Sequence, residues 1–290
     1  MRKKHLALIP VLATLVACGR AVLDPAGDIA RQQRDIIAIS TGLMLLIIVP
    51  VMILIVMFAW RYRQGGHGTY DPDFDHSTIL ELAIWSAPLM IIIALGALTW
   101  SSTHLLDPFR RLGAAKTSPP PLVVQVVSLD WKWLFIYPEQ GIAAVNELAL
   151  PVDREVRFDL TSANMMNTFY APTLAGMIYT MPGMRSQLHA VLRRPVDDEG
   201  FSGNYSGAGF SYMRFKLKGV DEAGFERWIA AARGGSRVLE LDAYRELAKP
   251  SERVPVMRYS GVDRDLFRRI VERCVEPGTT CSSDHMRHHE

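Results

Sequence analysis

Cysteines are the side chains best suited to covalent chemistry in this sequence, and there are three of them. Cys18 follows a basic start and an apolar run from Leu6 to Ala17, and it is flanked by small residues in the manner of a bacterial lipobox. This pattern predicts that residues 1–17 are a lipoprotein signal peptide and that Cys18 becomes an acylated N-terminus outside the cytoplasmic membrane. The alternative is a plain signal peptide that contains an incidental cysteine.

The other two cysteines, Cys274 and Cys281, enclose a Pro277-Gly278 turn signal. An exported compartment permits a disulfide between them, and two free thiols are the alternative. The tail that follows carries His285, His288 and His289. These imidazoles are able to gather a metal ion, although a frayed, solvated end is the interpretation that a chain terminus favours.

One carboxylate, Glu81, stands near the start of an apolar run from Ile79 to Trp100. A carboxylate at the edge of a bilayer can exchange protons with water and pass them inward, and acids in such segments are rare enough to suggest a role. From the residues alone, an acid that only extends to the interface at the end of a helix is the favoured interpretation.

Two apolar runs must position these groups. Residues 36–60 are a run of 25 residues without a charge. As a helix this run would be roughly 37 Å long, which exceeds the thickness of the hydrocarbon core of a bilayer. Residues 79–100 form the second predicted span. The sequence thus predicts a membrane α-helical hairpin with an N-terminal segment at 18–35 and a loop at 61–78. The lipobox places the start and the C-terminal part outside, with the loop on the cytoplasmic side.

Beyond the hairpin, residues 101–121 read as a linker that contains the stiff run Pro119–Pro121. Short β-branched or alternating runs between turn signals then predict an all-β sandwich over 122–220, and its last predicted strand covers Phe210–Leu217. Helical spacing of apolar residues predicts a helical extension over 221–273, followed by a tail at 274–290. The net charge of +2 gives no indication of nucleic-acid binding.

Several ordered motifs resemble those of one family. They are Ser128–Gly141, Asn146-Glu147 and Met181–Met184. Together they resemble subunit II of cytochrome bo-type ubiquinol oxidases, in the heme-copper oxidase superfamily. The resemblance covers almost the whole chain and implies that the sandwich is a cupredoxin-like domain.

The copper-bearing members of this superfamily carry the motif Cys-x-Glu-x-Cys-x-x-x-His-x-x-Met, with a second histidine upstream. The same spacing holds here, but other residues occupy the ligand positions, which we term the vestigial positions: Asn167, Ser202, Asn204, Ser206, Phe210 and Met213. A two-copper centre needs bridging thiolates and imidazoles. The resemblance therefore implies no metal in this chain, and Met213 by itself is interpreted as a core methionine in a strand.

What the resemblance implies is a non-redox structural subunit of a proton-pumping ubiquinol oxidase, with no catalytic residue of its own. Heme and copper are expected in partner subunit I, ubiquinol is the substrate of the complex, and subunits III and IV and membrane lipids are further partners. The expected location is the bacterial inner membrane, with the C-terminal domain periplasmic. In the family pattern, a glutamate followed four residues later by tryptophan admits protons, which assigns proton entry to Glu81 ahead of Trp85.

Two other functions compete with this one. A copper-bearing cytochrome c oxidase subunit II requires cysteines and a histidine that the motif lacks, and a membrane-anchored cupredoxin-fold binding lipoprotein needs no helical hairpin. Within the motif at 128–141, alternate aromatic residues suggest an electron-relay stripe that faces subunit I, while packing or interfacial anchoring is the favoured interpretation. The residues of this stripe are Trp131, Trp133, Phe135 and Tyr137.

Overall fold

A computed structural model describes residues 20–66, 68, 75–112 and 120–281 of the chain. The predicted signal peptide, Cys18 and the three tail histidines lie outside the described residues. Contacts divide the chain into two compact units, one spanning Gln32–Asp107 and the other combining the segment up to Arg31 with the chain from Pro108 onward.

Two long helices dominate the first unit. After the four-residue helix α1 (Arg20–Leu23), helix α2 covers Asp28–Arg61 and helix α3 covers Thr78–Leu105. Both α2 and α3 are long and apolar enough to cross a membrane, and each contains the shorter apolar run predicted from the sequence. Their apolar side chains are largely exposed, as expected of helices that find their apolar surroundings outside the chain.

The second unit is a β-sandwich built from two sheets. The strands are β1 (Leu122–Leu129), β2 (Lys132–Tyr137), β3 (Ile142–Val145), β4 (Glu147–Pro151), β5 (Glu155–Ser162), β6 (Asn167–Ala171), β7 (Ala175–Thr180), β8 (Ser186–Val191), β9 (Val196–Ser202), β10 (Arg214–Val220), β11 (Val238–Leu239), β12 (Met257–Tyr259) and β13 (Gly261–Val262). The six-stranded sheet has the order β12-β3-β2-β1-β5-β8, and the five-stranded sheet has the order β4-β10-β9-β6-β7. Pairing within these two sheets is antiparallel except between β1 and β5 and between β10 and β4. The short strands β11 and β13 pair in parallel in a separate two-stranded sheet. The predicted class, two apolar helices followed by a β-sandwich, is confirmed.

Aromatic rings fill the space between the sheets. Phe169 and Phe215 stack with centroids 5.2 Å apart, and Trp133 meets both rings edge to face. Such pairs contribute roughly 0.5–1.5 kcal/mol each beyond the area they bury. Phe135 and Tyr137 are likewise fully buried.

The stripe toward a partner suggested by residues 131–137 is therefore wrong. Trp133, Phe135 and Tyr137 point into the core, so the packing interpretation holds for them. Trp131 lies outside the strand, in the β1–β2 turn with a φ of 65°. Alternation identifies residues that share a face, but it does not say whether that face is inward or outward.

The last predicted strand also begins later than expected. Phe210–Tyr212 forms a short 3-10 helix, and β10 starts at Arg214. Met213 is fully buried between these elements, so it is a core methionine but not a strand residue.

The C-terminal extension is not purely helical. It contains α4 (Glu222–Arg233), α5 (Leu241–Ala248) and α6 (Leu266–Val271), together with three short strands. Of these strands, β12 pairs with β3 and so widens the larger sheet. The outer face of that sheet and the extension share one apolar cluster, which includes Leu134, Tyr244 and Phe267. The extension is thus packed on the sandwich as part of its fold.

Candidate functional site

Three adjacent strands of the smaller sheet gather the vestigial positions. Asn167 begins β6, Ser202 ends β9, and Met213 immediately precedes β10. The pairing Phe169↔Ser202 and the hydrogen bond from Ser202 N to Met213 O, at 3.1 Å, hold these strand ends together. The sheet therefore brings residues that are far apart in sequence to one end of the sandwich.

Asn167 and Ser202 are linked by hydrogen bonds within the core. The Ser202 hydroxyl donates to Asn167 Oδ1 at 3.1 Å, and both residues are almost fully buried. Asn167 Nδ2 lies 3.2 Å from Met165 O and 3.5 Å from Ser128 Oγ. Buried polar groups need such partners, since an unpaired one costs roughly 1–3 kcal/mol. At these two vestigial positions, the side chains thus use their hydrogen-bonding groups on each other and on neighbouring protein atoms.

The other vestigial positions lie in the loop between β9 and β10. Asn204 Nδ2 donates to Met166 O at 3.1 Å, and Phe210 packs edge to face on Tyr205. The Ser206 carbonyl accepts from Trp131 Nε1 at 3.0 Å. The buried Ser206 hydroxyl has no hydrogen-bond partner among the described residues.

Trp131 fixes the shape of this loop. Its ring covers Gly209 so closely that a Cβ on this residue would lie 2.4 Å from a ring atom. Because that distance is a steric clash, position 209 requires glycine. The left-handed backbone at Trp131 places the ring over the loop. Sequence reasoning assigned Trp131 to a strand, and the structure instead makes it the cover of the loop that carries the vestigial positions.

The donor set at the six vestigial positions consists of two hydroxyls, two amides, one phenyl ring and one thioether. None is a thiolate or an imidazole, the ligands that hold a two-copper centre in both oxidation states. A hydroxyl is not deprotonated near neutral pH, and a phenyl ring has no lone pair. These residues do not fit such a centre, and what they can do chemically is hydrogen bonding.

Two members of this network were missed from the sequence. Ser128 on β1 and Thr180 on β7 are fully buried, and their hydroxyls are 2.9 Å apart. Thr180 Oγ1 also reaches Asn167 O at 3.3 Å. The available signal was a small hydroxyl residue at or near the end of each of two mainly apolar strands.

A second missed site surrounds Glu147, which is 2% exposed. Its carboxylate accepts from Arg258 Nε at 2.7 Å, Lys218 Nζ at 3.0 Å and Trp228 Nε1 at 3.0 Å. Burial disfavours the charged form, but the hydrogen bonds from Arg258, Lys218 and Trp228 outweigh it and lower the pKa of Glu147 to about 2. The cluster joins β4 and β10 to the C-terminal extension.

Two further contacts hold the extension on the sandwich. Lys132 is buried, and its ammonium donates to Lys249 O at 2.8 Å and to Ser251 Oγ at 2.6 Å. Burial lowers the pKa of Lys132. Asn146 donates to Val254 O at 2.8 Å and accepts from Trp133 N.

The remaining predicted site residues lie elsewhere. Glu81 is exposed in the first turn of α3, one helical turn before Trp85, which is 76% exposed. Cys274 and Cys281 form a disulfide. The Glu272 carboxylate lies within 4.8 Å of both sulfurs, but disulfide sulfurs are not the thiolates that bind metal ions.

Comparison with known proteins places these features in a family. The family model described as the COX Aromatic Rich Motif matches residues 233–278, which cover most of the C-terminal extension and the first residues of the tail. Subunit 2 of the cytochrome bo(3) ubiquinol oxidase of Pseudomonas putida is 45% identical over 269 residues, covering 92% of this chain and 85% of that protein. Ubiquinol oxidase subunit 2 of Acetobacter aceti is 43% identical, with coverages of 89% and 84%.

A more distant relative and one solved structure are also similar. Quinol oxidase subunit 2 of Bacillus subtilis is 36% identical, covering 88% of this chain and 79% of that protein. The periplasmic domain of cytochrome oxidase subunit II from Bradyrhizobium japonicum matches 39% of this chain and 94% of that domain, at 19% identity and a TM-score of 0.37. Because the Pseudomonas putida protein is 45% identical over 92% of this chain, this chain belongs to the family of subunit 2 of cytochrome bo(3) ubiquinol oxidases.

Proposed function

We propose that this chain is the non-redox structural subunit II of a proton-pumping ubiquinol oxidase, which couples quinol oxidation to the reduction of O2 to water. The observation that carries the proposal is the hydrogen bond between Asn167 and Ser202, at 3.1 Å in the core. Amide and hydroxyl groups satisfy each other at positions where copper-bearing relatives place metal ligands. The family relationship supports the same assignment.

The loss of copper ligands has a chemical reason in this proposal. A copper centre outside the membrane accepts electrons from a soluble protein donor. Ubiquinol instead arrives from within the lipid and delivers its electrons to a heme in subunit I, so subunit II needs no redox group. Heme and copper belong to subunit I, and subunits III and IV complete the complex.

Two long apolar helices support the proposed membrane arrangement. In the proposal α2 and α3 cross the bacterial inner membrane and clamp subunit I, while the sandwich lies in the periplasm. The segment 61–78 is then cytoplasmic. Cys18 carries the lipid after removal of residues 1–17, which anchors the start of the chain on the same side as the sandwich.

Glu81 serves as a proton entry point in this proposal. It lies in the first turn of α3, at the cytoplasmic edge in the proposed orientation, and its side chain is exposed. A carboxylate there exchanges protons with water and passes them toward subunit I. Trp85 lies on the same face one turn further along the helix.

Substrate use and metal content of the purified complex test the assignment. Affinity purification through this chain should recover a large heme-bearing subunit, and oxygen uptake should proceed with ubiquinol but not with reduced cytochrome c. A soluble fragment from Ala115 onward should bind no stoichiometric copper and show no thiolate-to-copper absorption. Copper in that fragment, or turnover with cytochrome c, would reject the proposal. Recovery of the chain without a heme-bearing subunit would favour a free binding lipoprotein.

Replacement of the carboxylate tests the role of Glu81. Glu81→Ala should slow oxygen reduction while heme content and subunit composition stay normal, because only proton delivery is affected. Glu81→Asp keeps an ionisable group and is the matched control, which should retain most of the activity. Wild-type turnover of Glu81→Ala across the whole pH range would show that the residue is only an interfacial acid.

A further inference from the structure

The end of helix α2 forms a small cleft with the turn that follows it. The chain folds back at Arg63–Gly66, where Gly66 N donates to Arg63 O at 2.7 Å. A Cβ on Gly66 would lie 2.4 Å from Arg61 O, so this close return requires glycine. The cleft has a volume of about 400 Å³. It lies wholly within the unit formed by Gln32–Asp107.

Apolar and basic side chains line this cleft together. Met57, Phe58 and Trp60 provide its apolar wall, and Arg61 and Arg63 provide its positive charge. All three apolar side chains are more than 40% exposed. The Arg63 guanidinium lies over the Trp60 ring, 5.5 Å from its centroid. Tryptophan beside arginine is typical of the membrane–water interface.

The charge of the cleft is not neutralised by the part of the chain that the structure describes. Neither arginine forms an ion pair there, and Asp75, a carboxylate later in the loop, instead contacts His76 at 2.9 Å. The C-terminus of a helix carries roughly half a negative charge. Two guanidinium groups exceed that by a wide margin, so the described residues that line the cleft carry a net positive charge, which suits an anion.

We propose that this cleft binds the headgroup of an anionic phospholipid, with the phosphate between Arg61 and Arg63 and an acyl chain along Met57 and Phe58. The inference rests on the proposal that α2 spans a membrane, since that places the cleft at the level of the headgroups. A guanidinium suits a phosphate because it donates two parallel hydrogen bonds. The apolar wall distinguishes a lipid from free phosphate, which gains nothing from it.

Lipid binding by the purified oxidase complex tests the proposal. The complex in detergent is titrated with phosphatidylglycerol or with phosphatidylcholine, and native mass spectrometry counts the lipids retained. Each arginine near an anionic surface strengthens binding roughly fivefold. The double variant Arg61→Gln, Arg63→Gln should therefore weaken one phosphatidylglycerol site by about 30-fold.

Two control variants separate charge from conformation. Arg61→Lys with Arg63→Lys keeps both charges and should retain the site. Arg31→Gln with Arg34→Gln removes two charges near the other end of the same helix and should leave the lipid count unchanged. Heme content of every variant shows that the complex is intact.

Three results would overturn the proposal. Equal retention of the two lipids would mean that the cleft is merely apolar. An unchanged count in the Arg61→Gln, Arg63→Gln variant would place the lipid elsewhere. Equal loss in the glutamine and lysine variants would show that charge is not what the site recognises. Since quinol oxidation is not the readout, these results are independent of the proposed enzymatic function.

Discussion

Replacement of Glu147 by glutamine is expected to destabilise the sandwich in a pH-dependent way. The buried carboxylate accepts from Arg258 and Lys218, whose side chains are about one third exposed, and from the Trp228 ring nitrogen. Glutamine has nearly the same shape, and its carbonyl can still accept from Trp228. The change therefore removes the charge while it leaves the packing in place.

The magnitude follows from the two pKa values of Glu147. An ordinary value of 4.5 applies to the unfolded chain, and the folded value is about 2. At ~1.36 kcal/mol per pH unit, the difference corresponds to about 3 kcal/mol of stability at neutral pH. Because the folded pKa is the lower one, this contribution is fully present above pH 4.5 and is lost as the pH falls toward 2. By pH 3 it should have fallen to about half of its value at neutral pH.

Urea unfolding of the soluble fragment from Ala115 onward measures this directly. The difference in unfolding free energy between wild type and Glu147→Gln should be about 3 kcal/mol at pH 7 and about half of that at pH 3. Glu199→Gln is the matched control, because Glu199 pairs with Arg214 at 3.3 Å while both side chains are more than half exposed. An exposed pair contributes at most about 1 kcal/mol. A Glu147→Gln difference that does not change with pH would refute the ionic account.

Three further outcomes are expected. Intact mass of the purified chain should show loss of residues 1–17 and added acyl mass at Cys18; an uncleaved chain with an unmodified cysteine would contradict the lipobox. Replacing both Cys274 and Cys281 by serine should lower the stability of the extension by about 2–3 kcal/mol, the chain-entropy value for so short a loop. Urea unfolding followed by near-ultraviolet circular dichroism measures this loss. An unchanged unfolding midpoint would show that the disulfide is dispensable. Copper ligands can be restored by the substitutions Asn167→His, Ser202→Cys, Ser206→Cys and Phe210→His, with Met213 already in place. Addition of copper to this variant should produce a purple binuclear centre. A folded variant that takes up no copper would show that the ligand positions were wrongly aligned.

The sequence by itself determined the features that depend on residue type and on local spacing. Two apolar runs long enough to cross a bilayer predict helices whatever the fold of the rest of the chain. In lipid, the backbone N–H and C=O groups of such a segment must form their hydrogen bonds within the segment. The chemistry of the vestigial positions was equally fixed, because hydroxyl and amide groups cannot replace thiolates and imidazoles in any fold. The helical spacing of apolar residues in the extension includes Phe225 and Trp228, and α4 buries both.

Only the tertiary structure decided what depends on contacts between distant strands. Alternation placed Trp133, Phe135 and Tyr137 on one face, but the packing of the second sheet makes that face the interior. Glu147 receives its charged partners from β10 and β12, 71 and 111 residues away by their numbers. Ser202 meets Asn167 across 35 residues through the pairing of β6 and β9. Local sequence does not indicate such partners, because the register of the strands in the sheets determines which side chains are in contact.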